Sequence, residues 1–277
     1  MKPAASIIIS TYNAEAWLEK VLWGYAAQTR ADFEILIADD GSGPATAEVI
    51  QRYAKLLPMP LVHIWHADQG FRKTEILNKA IEAATADYLI FSDGDCIPRN
   101  DFVDTHLKLR QTNRFLSGGY FKLPMDISMQ ITRQDVDEQK CFEVEWLTKN
   151  GLKSSIKNWK LTKNTALANV LNALTPTRPS WNGHNASAWR NDVLALNGFN
   201  RDMQYGGEDR EFGERLENYG VRGLQIRYRA IVIHLDHARG YVKPEMWEKN
   251  NAIRANTRKH KVVQTPRGIK NLSDNQQ

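Results

Sequence analysis

Residues 6–13 read Ser-Ile-Ile-Ile-Ser-Thr-Tyr-Asn, a short isoleucine-rich run that ends in polar side chains. Such a run is typical of a strand buried on both faces of a sheet. Apolar residues at helical spacing over 14–25 then predict an amphipathic helix. The same strand-then-helix unit recurs at 33–57 and 61–84, and a further strand is predicted at 88–91. This alternation predicts an α/β fold with right-handed crossovers and a mostly parallel sheet covered by helices.

Four polar clusters follow the ends of these strands, at 10–13, 39–40, 66–69 and 92–95. Ligands of open α/β sheets bind beyond the carboxyl ends of the strands, so the clusters predict one binding crevice. The chain has neither G-x-G-x-x-G after the first strand nor a G-x-x-x-x-G-K-[ST] run. A dinucleotide-binding Rossmann enzyme and a P-loop NTPase are therefore not indicated.

The composition is that of a globular protein, with 277 residues, of which 42% are hydrophobic and 25% charged. No apolar run approaches the roughly 20 residues of a membrane helix. Only two cysteines are present, which favours a reducing compartment, and we expect a cytoplasmic protein.

The net charge of +5 is concentrated in residues 239–270, which hold nine Lys and Arg against two Glu. Such a segment is typical of contact with an anionic surface, for example the inner face of a membrane, or of a solvated helix. A nucleic-acid-binding module is less favoured, because the segment is short and has few aromatic residues. We expect one domain over 1–240, with a helical insertion at about 125–180, and a basic extension over 241–277.

Asp93-Gly94-Asp95 is the first candidate for chemistry, because two carboxylates at a strand end can hold Mg²⁺ or Mn²⁺. Glu208 and Asp209 follow Gly206-Gly207 at the predicted start of a helix. They are candidates for catalysis or, alternatively, for an acidic helix cap. His234 ends a strand-like run and could complete a metal site with Asp95, and His237 lies three residues further on.

Five stretches together resemble family 2 inverting glycosyltransferases of the GT-A fold. They are 6–13, 37–42 (Ile-Ala-Asp-Asp-Gly-Ser), 91–95 (Phe-Ser-Asp-Gly-Asp), 181–187 (Trp-Asn-Gly-His-Asn-Ala-Ser) with 197–199 (Asn-Gly-Phe), and 205–209 (Tyr-Gly-Gly-Glu-Asp). The later stretches are similar to the acceptor half of galactosyltransferases and chondroitin-type polymerases. The resemblance covers about 5–240 and implies a nucleotide-sugar half at 1–100 and an acceptor half at 101–240.

The resemblance also implies residue roles. Asp209 would be the base and Glu208 would hold the sugar or acceptor, while Asp95 and His234, rather than His237, would bind the metal. Asp93 would contact the ribose or the metal. The remaining donor-binding residues would be Ser10, Tyr12, Asn13, Asp40, Asp68, Arg72, Lys73, Asn182, Gly183, Asn185 and Gly207.

The activity so implied is transfer of a sugar from a nucleotide-diphospho-sugar, with UDP expected as the nucleotide, to a hydroxyl of a glycan or lipid-linked acceptor. Cell-surface polysaccharide or lipopolysaccharide synthesis is the expected setting. Two other interpretations remain open. A non-catalytic nucleotide-sugar-binding or polysaccharide-binding protein would need no base. A metal-dependent sugar nucleotidyltransferase would usually carry a glycine-rich basic loop where this chain has Ser-Thr-Tyr-Asn.

Overall fold

The first part of the chain alternates strands and helices as predicted. The computed structural model describes residues 2–237 and 244–271. The first seven elements are β1 (Ala5–Thr11), α1 (Glu15–Ala26), β2 (Phe33–Asp39), α2 (Pro44–Leu56), β3 (Leu61–Trp65), α3 (Lys73–Ala83) and β4 (Tyr88–Asp93). Their ends differ from the predicted ones by one or two residues, mainly because β1 and β4 continue into the polar clusters.

The second part adds short strands, the predicted helical insertion and a carboxyl-terminal helix. Before the insertion lie β5 (Cys96–Pro98), α4 (Phe102–Leu109), β6 (Arg114–Ser117) and β7 (Gly119–Lys122). The insertion comprises α5 (Met125–Gln130), α6 (Arg133–Asp137), α7 (Val144–Lys149) and α8 (Thr165–Leu174), with 3₁₀ turns at Lys140–Phe142 and Ile156–Leu161. After it come β8 (Asn185–Trp189), α9 (Arg190–Ala195), α10 (Glu208–Tyr219), β9 (Arg222–Gln225), β10 (Ile231–His234), α11 (Pro244–Lys259) and a 3₁₀ turn at Ile269–Asn271.

Seven strands form the main sheet, in the order β3-β2-β1-β4-β8-β6-β9. The neighbours from β3 to β4 run parallel, and so do β6 and β9. Strand β8 is antiparallel to both of its neighbours, β4 and β6. The sheet is therefore mostly parallel, as predicted, and the carboxyl ends of β1, β2 and β4 meet at one edge.

Both faces of the sheet are buried, which explains the continuous isoleucine run of β1. Ile7 and Ile9 pack in a layer with α1 and α2, whereas Ile8 packs with α3 on the opposite face. All three side chains are fully buried. Side chains alternate between the two faces of a strand, so an isoleucine at each position supplies both layers.

A second sheet has three strands in the order β5-β10-β7. It pairs the segment after Asp95 with the strand that ends at His234. His234 pairs with Cys96 in the antiparallel register of β10 and β5. The N–H of Leu235 also donates to the carbonyl oxygen of Asp95 at 2.9 Å. This small sheet therefore places the two ends of the predicted metal site side by side.

Residues 244–271 pack against α10 instead of extending from the domain. The side-chain amide of Asn250 donates to the carbonyl oxygens of 204, 205 and 206, and Asn250 is fully buried. Arg254 and Arg258 both form ion pairs with Glu214 on α10. Much of this basic segment is thus integrated into the domain, and the predicted boundary at 240 falls outside the described residues.

The start of α3 is held by a group distant in the sequence. Arg72 precedes the helix, and its N–H donates to Oδ2 of Asp40 at 3.0 Å. Thr74 lies in the first turn, is buried and makes no cap hydrogen bond. The Asp40 carboxylate thus fixes the position of the residue that precedes α3.

Across 2–237 and 244–271, no helix combines the length and the apolar character required to cross a bilayer. Cys96 and Cys141 are both buried with free thiols.

Candidate functional site

The carboxyl ends of β1 and β4 carry a hydrogen-bonded cluster centred on Asp93. Its Oδ1 accepts from the Ser10 hydroxyl at 2.5 Å and from the Lys73 ammonium at 2.8 Å. Burial opposes ionisation of Asp93, but Lys73 and the Ser10 hydroxyl hold its pKa down at about 2. Asp93 is therefore a permanent anion at neutral pH, and its position is set by two of the predicted donor-binding residues.

Asp209 lies in the first turn of α10 and faces the loop before β8. Its Oδ2 accepts from the Gly183 N–H at 3.0 Å. Its Oδ1 is enclosed, and no described residue donates a hydrogen bond to it. Burial raises the pKa of Asp209, although Lys73 opposes the rise. One oxygen of this carboxylate is thus anchored, while the other accepts no hydrogen bond from the described residues.

The Glu208 carboxylate is hydrogen-bonded to the loop directly before α10. Its Oε2 accepts from the Gly206 N–H at 2.8 Å, and the residue is buried. Burial, and then the neighbouring Asp209 charge, raise the pKa of Glu208 to about 7. Gly207 caps α10 with a φ of 94°, a left-handed conformation that favours glycine. The two acids therefore have different surroundings, with Glu208 bracing the turn.

Lys73 lies between the two acidic groups. Burial by itself would lower the pKa of its ammonium group. Asp93, Asp209 and Glu208 outweigh that effect and raise the pKa of Lys73 well above its usual value. Lys73 is thus a fixed cation that links the sheet edge to the start of α10.

Asp95, His234 and His237 form a group suited to a metal ion, with ligand atoms all within 4.8 Å of one another. The Nε2 atoms of His237 and His234 lie 2.9 Å and 3.8 Å from Oδ2 of Asp95. The Nδ1–H of His234 donates to the Leu235 carbonyl oxygen at 2.9 Å, which leaves Nε2 with a lone pair when the ring is neutral. One carboxylate and two imidazoles match the donor preferences of first-row divalent metals such as Mn²⁺.

The structure thus brings Asp95 and His234 together as expected from the sequence, and adds His237 to the group. Sequence reasoning preferred His234 because it ends the strand. His237 reaches the same carboxylate because the chain turns back after β10, which strand periodicity cannot show.

The loops that carry the predicted nucleoside-binding residues are joined to one another. The Tyr12 hydroxyl donates to Oδ2 of Asp68 at 2.9 Å. Asn13, with a φ of 44°, accepts at Oδ1 from the Gly43 N–H. The Asp68 carboxylate also accepts from the Gly70 N–H. Tyr12, Asn13 and Asp68 therefore lie at one end of the sheet, next to the Asp93 cluster.

Two predicted donor-binding residues have their polar groups occupied within the protein. Asp40 is buried, and its oxygens accept from the Arg72 N–H and contact Nε2 of His66 at 2.8 Å. The guanidinium of Arg72 pairs with Glu75 at 2.6 Å. These contacts give both residues a role in holding the loop before α3.

Asn185 is in the core, and the expectation that it binds the donor is corrected by its contacts. Its Nδ2 donates to the carbonyl oxygens of Gly119 and Ala230, and its Oδ1 contacts Nε2 of His106 at 3.0 Å. The residue is fully buried. Its amide group joins the main sheet to the second sheet, so it has no free atom for a ligand.

Gly183 and Asn182 do lie beside the acids of α10. A Cβ on Gly183 would stand 2.9 Å from both carboxylate oxygens of Asp209, so a larger residue there would displace that carboxylate. Oδ1 of Asn182 is enclosed without a hydrogen-bond partner among the described residues.

Sequence reasoning missed His184, which adjoins this pair. Burial lowers its pKa to about 4, so it is neutral at pH 7. The sequence signal that could have identified His184 is its place within the stretch 181–187.

Residues 6–126 match the sequence profile of "Glycosyl transferase family 2". This part of the chain is similar to the family 2 glycosyl transferases. The resemblance stated from the motifs is therefore confirmed.

Individual proteins of similar sequence agree with this family similarity. Validoxylamine A glucosyltransferase of Streptomyces hygroscopicus subsp. limoneus is 33% identical over 107 residues, which are 38% of this chain and 23% of that protein. Chondroitin synthase of Escherichia coli is 28% identical over 227 residues, 78% of this chain and 32% of that protein. YfnE of Bacillus subtilis, an uncharacterised glycosyltransferase, is 25% identical and is covered over 68% of its length. The chain thus spans about a quarter of the first relative.

Solved glycosyltransferase structures confirm the fold class. Residues 1–349 of TarS from S. aureus, in complex with UDP-GlcNAc, match with a TM-score of 0.61 and 16% identity, over 95% of this chain and 70% of that one. The mannosyltransferase PcManGT from Pyrobaculum calidifontis, in complex with GDP-Man and Mn²⁺, matches with a TM-score of 0.57 and 20% identity, over 87% and 59%. The α/β architecture expected for a GT-A glycosyltransferase is therefore present.

Proposed function

We propose that this protein transfers a sugar from a nucleotide-diphospho-sugar, with UDP as the nucleotide, to a hydroxyl group of a glycan or lipid-linked acceptor with inversion of the anomeric centre. The setting would be the synthesis of a cell-surface polysaccharide or lipopolysaccharide. The observation that carries this proposal is the Asp209 carboxylate, with one oxygen anchored by Gly183 and the other without a hydrogen-bond partner in the described part of the chain. A carboxylate held in this way can accept a proton without first breaking a hydrogen bond.

In this proposal Asp209 removes the proton of the acceptor hydroxyl as that oxygen attacks the sugar. A raised pKa makes Asp209 a stronger base than an ordinary aspartate, which favours proton transfer. Lys73 keeps Asp93 ionised and in place, and Ser10, Tyr12, Asn13 and Asp68 would line the nucleoside side. A single displacement needs no covalent intermediate with the enzyme.

Asp95, His234 and His237 would hold a divalent metal ion, Mn²⁺ or Mg²⁺. Such an ion supplies charge neutralisation for the departing diphosphate. The glycosyltransferase PcManGT was solved with Mn²⁺ and GDP-Man, which supports a metal in this fold. In this proposal, the side chains of the chain itself provide the base and bind the donor.

The proposal also includes peripheral contact with an anionic membrane through the carboxyl-terminal segment. Lys249, Lys259 and Lys270 are exposed there, whereas Arg254 and Arg258 are engaged with Glu214. Contact at a surface would bring the enzyme to a lipid-linked acceptor.

The direct test is to incubate the protein and Mn²⁺ with a panel of UDP-, GDP- and dTDP-sugars, and to measure nucleotide release with and without candidate acceptors. Release from one donor, dependent on Asp209, is expected, and the anomeric configuration of the product is read by NMR. Binding of a nucleotide sugar without any turnover would favour the non-catalytic interpretation. Release of diphosphate from a nucleoside triphosphate and a sugar phosphate would favour a nucleotidyltransferase.

A further inference from the structure

Two cavities along α10, one at the start of the helix and one at its end, are lined by cationic side chains. The smaller, of about 90 Å³, includes Lys160, Arg178, Arg210 and Arg227 in its lining. The larger, of about 480 Å³, includes Arg114, Arg178, Arg222 and Lys261. Arg178 lines both, so the two cavities adjoin. We call them together the basic groove.

Few acidic side chains offset the positive charge of the basic groove. Glu217, in the larger cavity, is the one acidic residue in either lining, and it pairs with Arg178 at 2.6 Å. The other six cations have no carboxylate within 4.0 Å among residues 2–237 and 244–271. Exposed cations are ordinarily solvated, but here six converge on two concave surfaces. Their mutual repulsion is an unfavourable term that an anionic ligand would remove.

Two pairs of like charges show that this convergence is built into the fold. Arg114 on β6 and Arg222 on β9 are direct partners in the parallel register of the sheet. In the smaller cavity, burial and then the nearby charge of Arg227 lower the pKa of Lys160. The Nε of Arg227 is also enclosed, and no residue that the structure describes accepts a hydrogen bond from it. Strand pairing and packing hold these cations together against their repulsion.

The smaller cavity of the basic groove adjoins the proposed base. Asn182 and His184 line the smaller cavity and flank Gly183, which anchors Asp209. All lining residues of both cavities come from 114 onwards, and none comes from the loops that carry Ser10, Asp40 or Asp68. Neither cavity is therefore formed by the predicted nucleoside-binding loops, which fits an acceptor site. The smaller one also borders the metal group, because the ring centroid of Tyr120 lies 5.9 Å from that of His234.

We propose that the basic groove binds a polyanionic acceptor, a glycan or polyol chain that carries repeated carboxylate or phosphate groups. The inference rests on the proposed transferase function and specifies its acceptor class. The smaller cavity has room for one anionic group, given that a water molecule occupies about 30 Å³ in the liquid. The larger cavity is of the size that accommodates a small ligand, so it would take the next part of the chain.

The test measures binding without donor or metal, in EDTA and at low salt, so that it does not depend on turnover. The probes are an oligogalacturonate, its carboxyl-reduced neutral counterpart and inorganic tripolyphosphate, each titrated calorimetrically. The variants are Lys160→Gln with Arg227→Gln, and Arg114→Gln with Arg222→Gln. The matched control replaces Lys55 and Lys153, two exposed lysines outside both cavities, by Gln.

We expect at least one of the two anionic probes to bind and each groove variant to weaken that binding about 10-fold or more, with little change in the control. Binding of oligogalacturonate assigns the repeated anion as carboxylate, and binding of tripolyphosphate alone assigns it as phosphate. Equal binding of the neutral sugar, equal losses in the control, or no binding of either anionic probe would overturn the inference. Calorimetry of UDP with Mn²⁺ should be unchanged in the groove variants, which verifies their folding.

Failure of the transferase proposal would be seen separately. If the groove binds the polyanion but no donor is ever turned over, the proposed function fails. If sugar is transferred to a neutral acceptor and neither anionic probe binds the groove, the function stands and the acceptor class is wrong.

Discussion

At the residue scale, Asp209 and Glu208 differ in what their carboxylates contact. Within residues 2–237 and 244–271, nothing donates a hydrogen bond to Oδ1 of Asp209, whereas Glu208 holds the turn before α10 through the Gly206 N–H. Adjacent residues on a helix point about 100° apart, so the two side chains cannot serve one acceptor hydroxyl equally. The contacts favour Asp209 as the base.

We expect Asp209→Asn to lower kcat by about 10²–10⁴-fold with little change in donor binding, because the amide cannot accept the proton. Steady-state kinetics with the donor found in the panel assay measure both parameters. Glu208→Gln is the matched comparison and should alter KM at least as much as kcat. Near-full turnover by Asp209→Asn would exclude it as the base.

Glu208 also predicts a pH dependence of stability. Its folded pKa of about 7 lies above the ordinary value of 4.5, so the native state holds a proton that the unfolded chain has released between these pH values. Its contribution is therefore fully present below about pH 4.5 and is lost as pH rises through 7. Glu208→Gln carries no charge at any pH.

We therefore expect the melting temperature of Glu208→Gln, relative to the unmodified protein, to rise between pH 5 and pH 8 by on the order of a few degrees. Thermal denaturation across this range measures it. Glu82→Gln, at an exposed site on α3, is the control and should show no such trend. A constant difference for Glu208→Gln would mean that the carboxyl is not protonated near neutral pH.

For the metal group, we expect Asp95→Asn, His234→Ala and His237→Ala each to weaken Mn²⁺ binding, with a larger loss for His234 than for His237. The reason is that the Leu235 carbonyl presets the tautomer of His234. Calorimetry with Mn²⁺, and with UDP in Mn²⁺ or EDTA, gives the affinities. His260→Ala, at an exposed site, is the control. A larger loss for His237 would reverse the ranking, and equal UDP affinity in EDTA would remove the metal from the proposal.

At the scale of elements, α11 supports the loop that carries the two acids. Asn250 on α11 donates to the carbonyl oxygens of 204, 205 and 206, directly before Gly207. Asn250→Ala would leave buried carbonyl groups unsatisfied, at a cost of about 1–3 kcal/mol. The loop and the start of α10 would then lose their fixed position.

We therefore expect Asn250→Ala to lower both the melting temperature and kcat. Asn251→Ala, at the next and exposed position of the same helix, should change neither. Thermal denaturation and steady-state kinetics compare the two variants. A stable and fully active Asn250→Ala protein would show that α11 does not support the site.

At the scale of the whole molecule, the positive charge is divided among different uses. Arg254 and Arg258 are paired with Glu214, and Lys261 contributes to the basic groove. The other exposed lysines of 244–271 are Lys249, Lys259 and Lys270, and these remain to contact an anionic membrane surface. A lysine close to an anionic membrane contributes about 1 kcal/mol.

We expect the protein to sediment with anionic vesicles at low salt, and Lys249→Gln with Lys259→Gln to weaken this binding by about 2 kcal/mol, or about 30-fold. Replacement of Lys55 and Lys153 is again the control. Equal sedimentation with neutral vesicles, or no effect of the pair at 249 and 259, would refute the membrane contact.

The sequence by itself determined the strands and helices of the first part of the chain, because their apolar periodicity reflects burial on both faces of the sheet. It also placed Asp93, Asp95 and Asp209 among the candidate site residues, since these follow predicted strands or begin a predicted helix. Only the tertiary structure decided which groups meet. Lys73 contacts Asp93, Asn185 is enclosed between two sheets, and His237 joins Asp95. These contacts join segments distant in the sequence, so their formation depends on how sheets and loops pack and not on local periodicity.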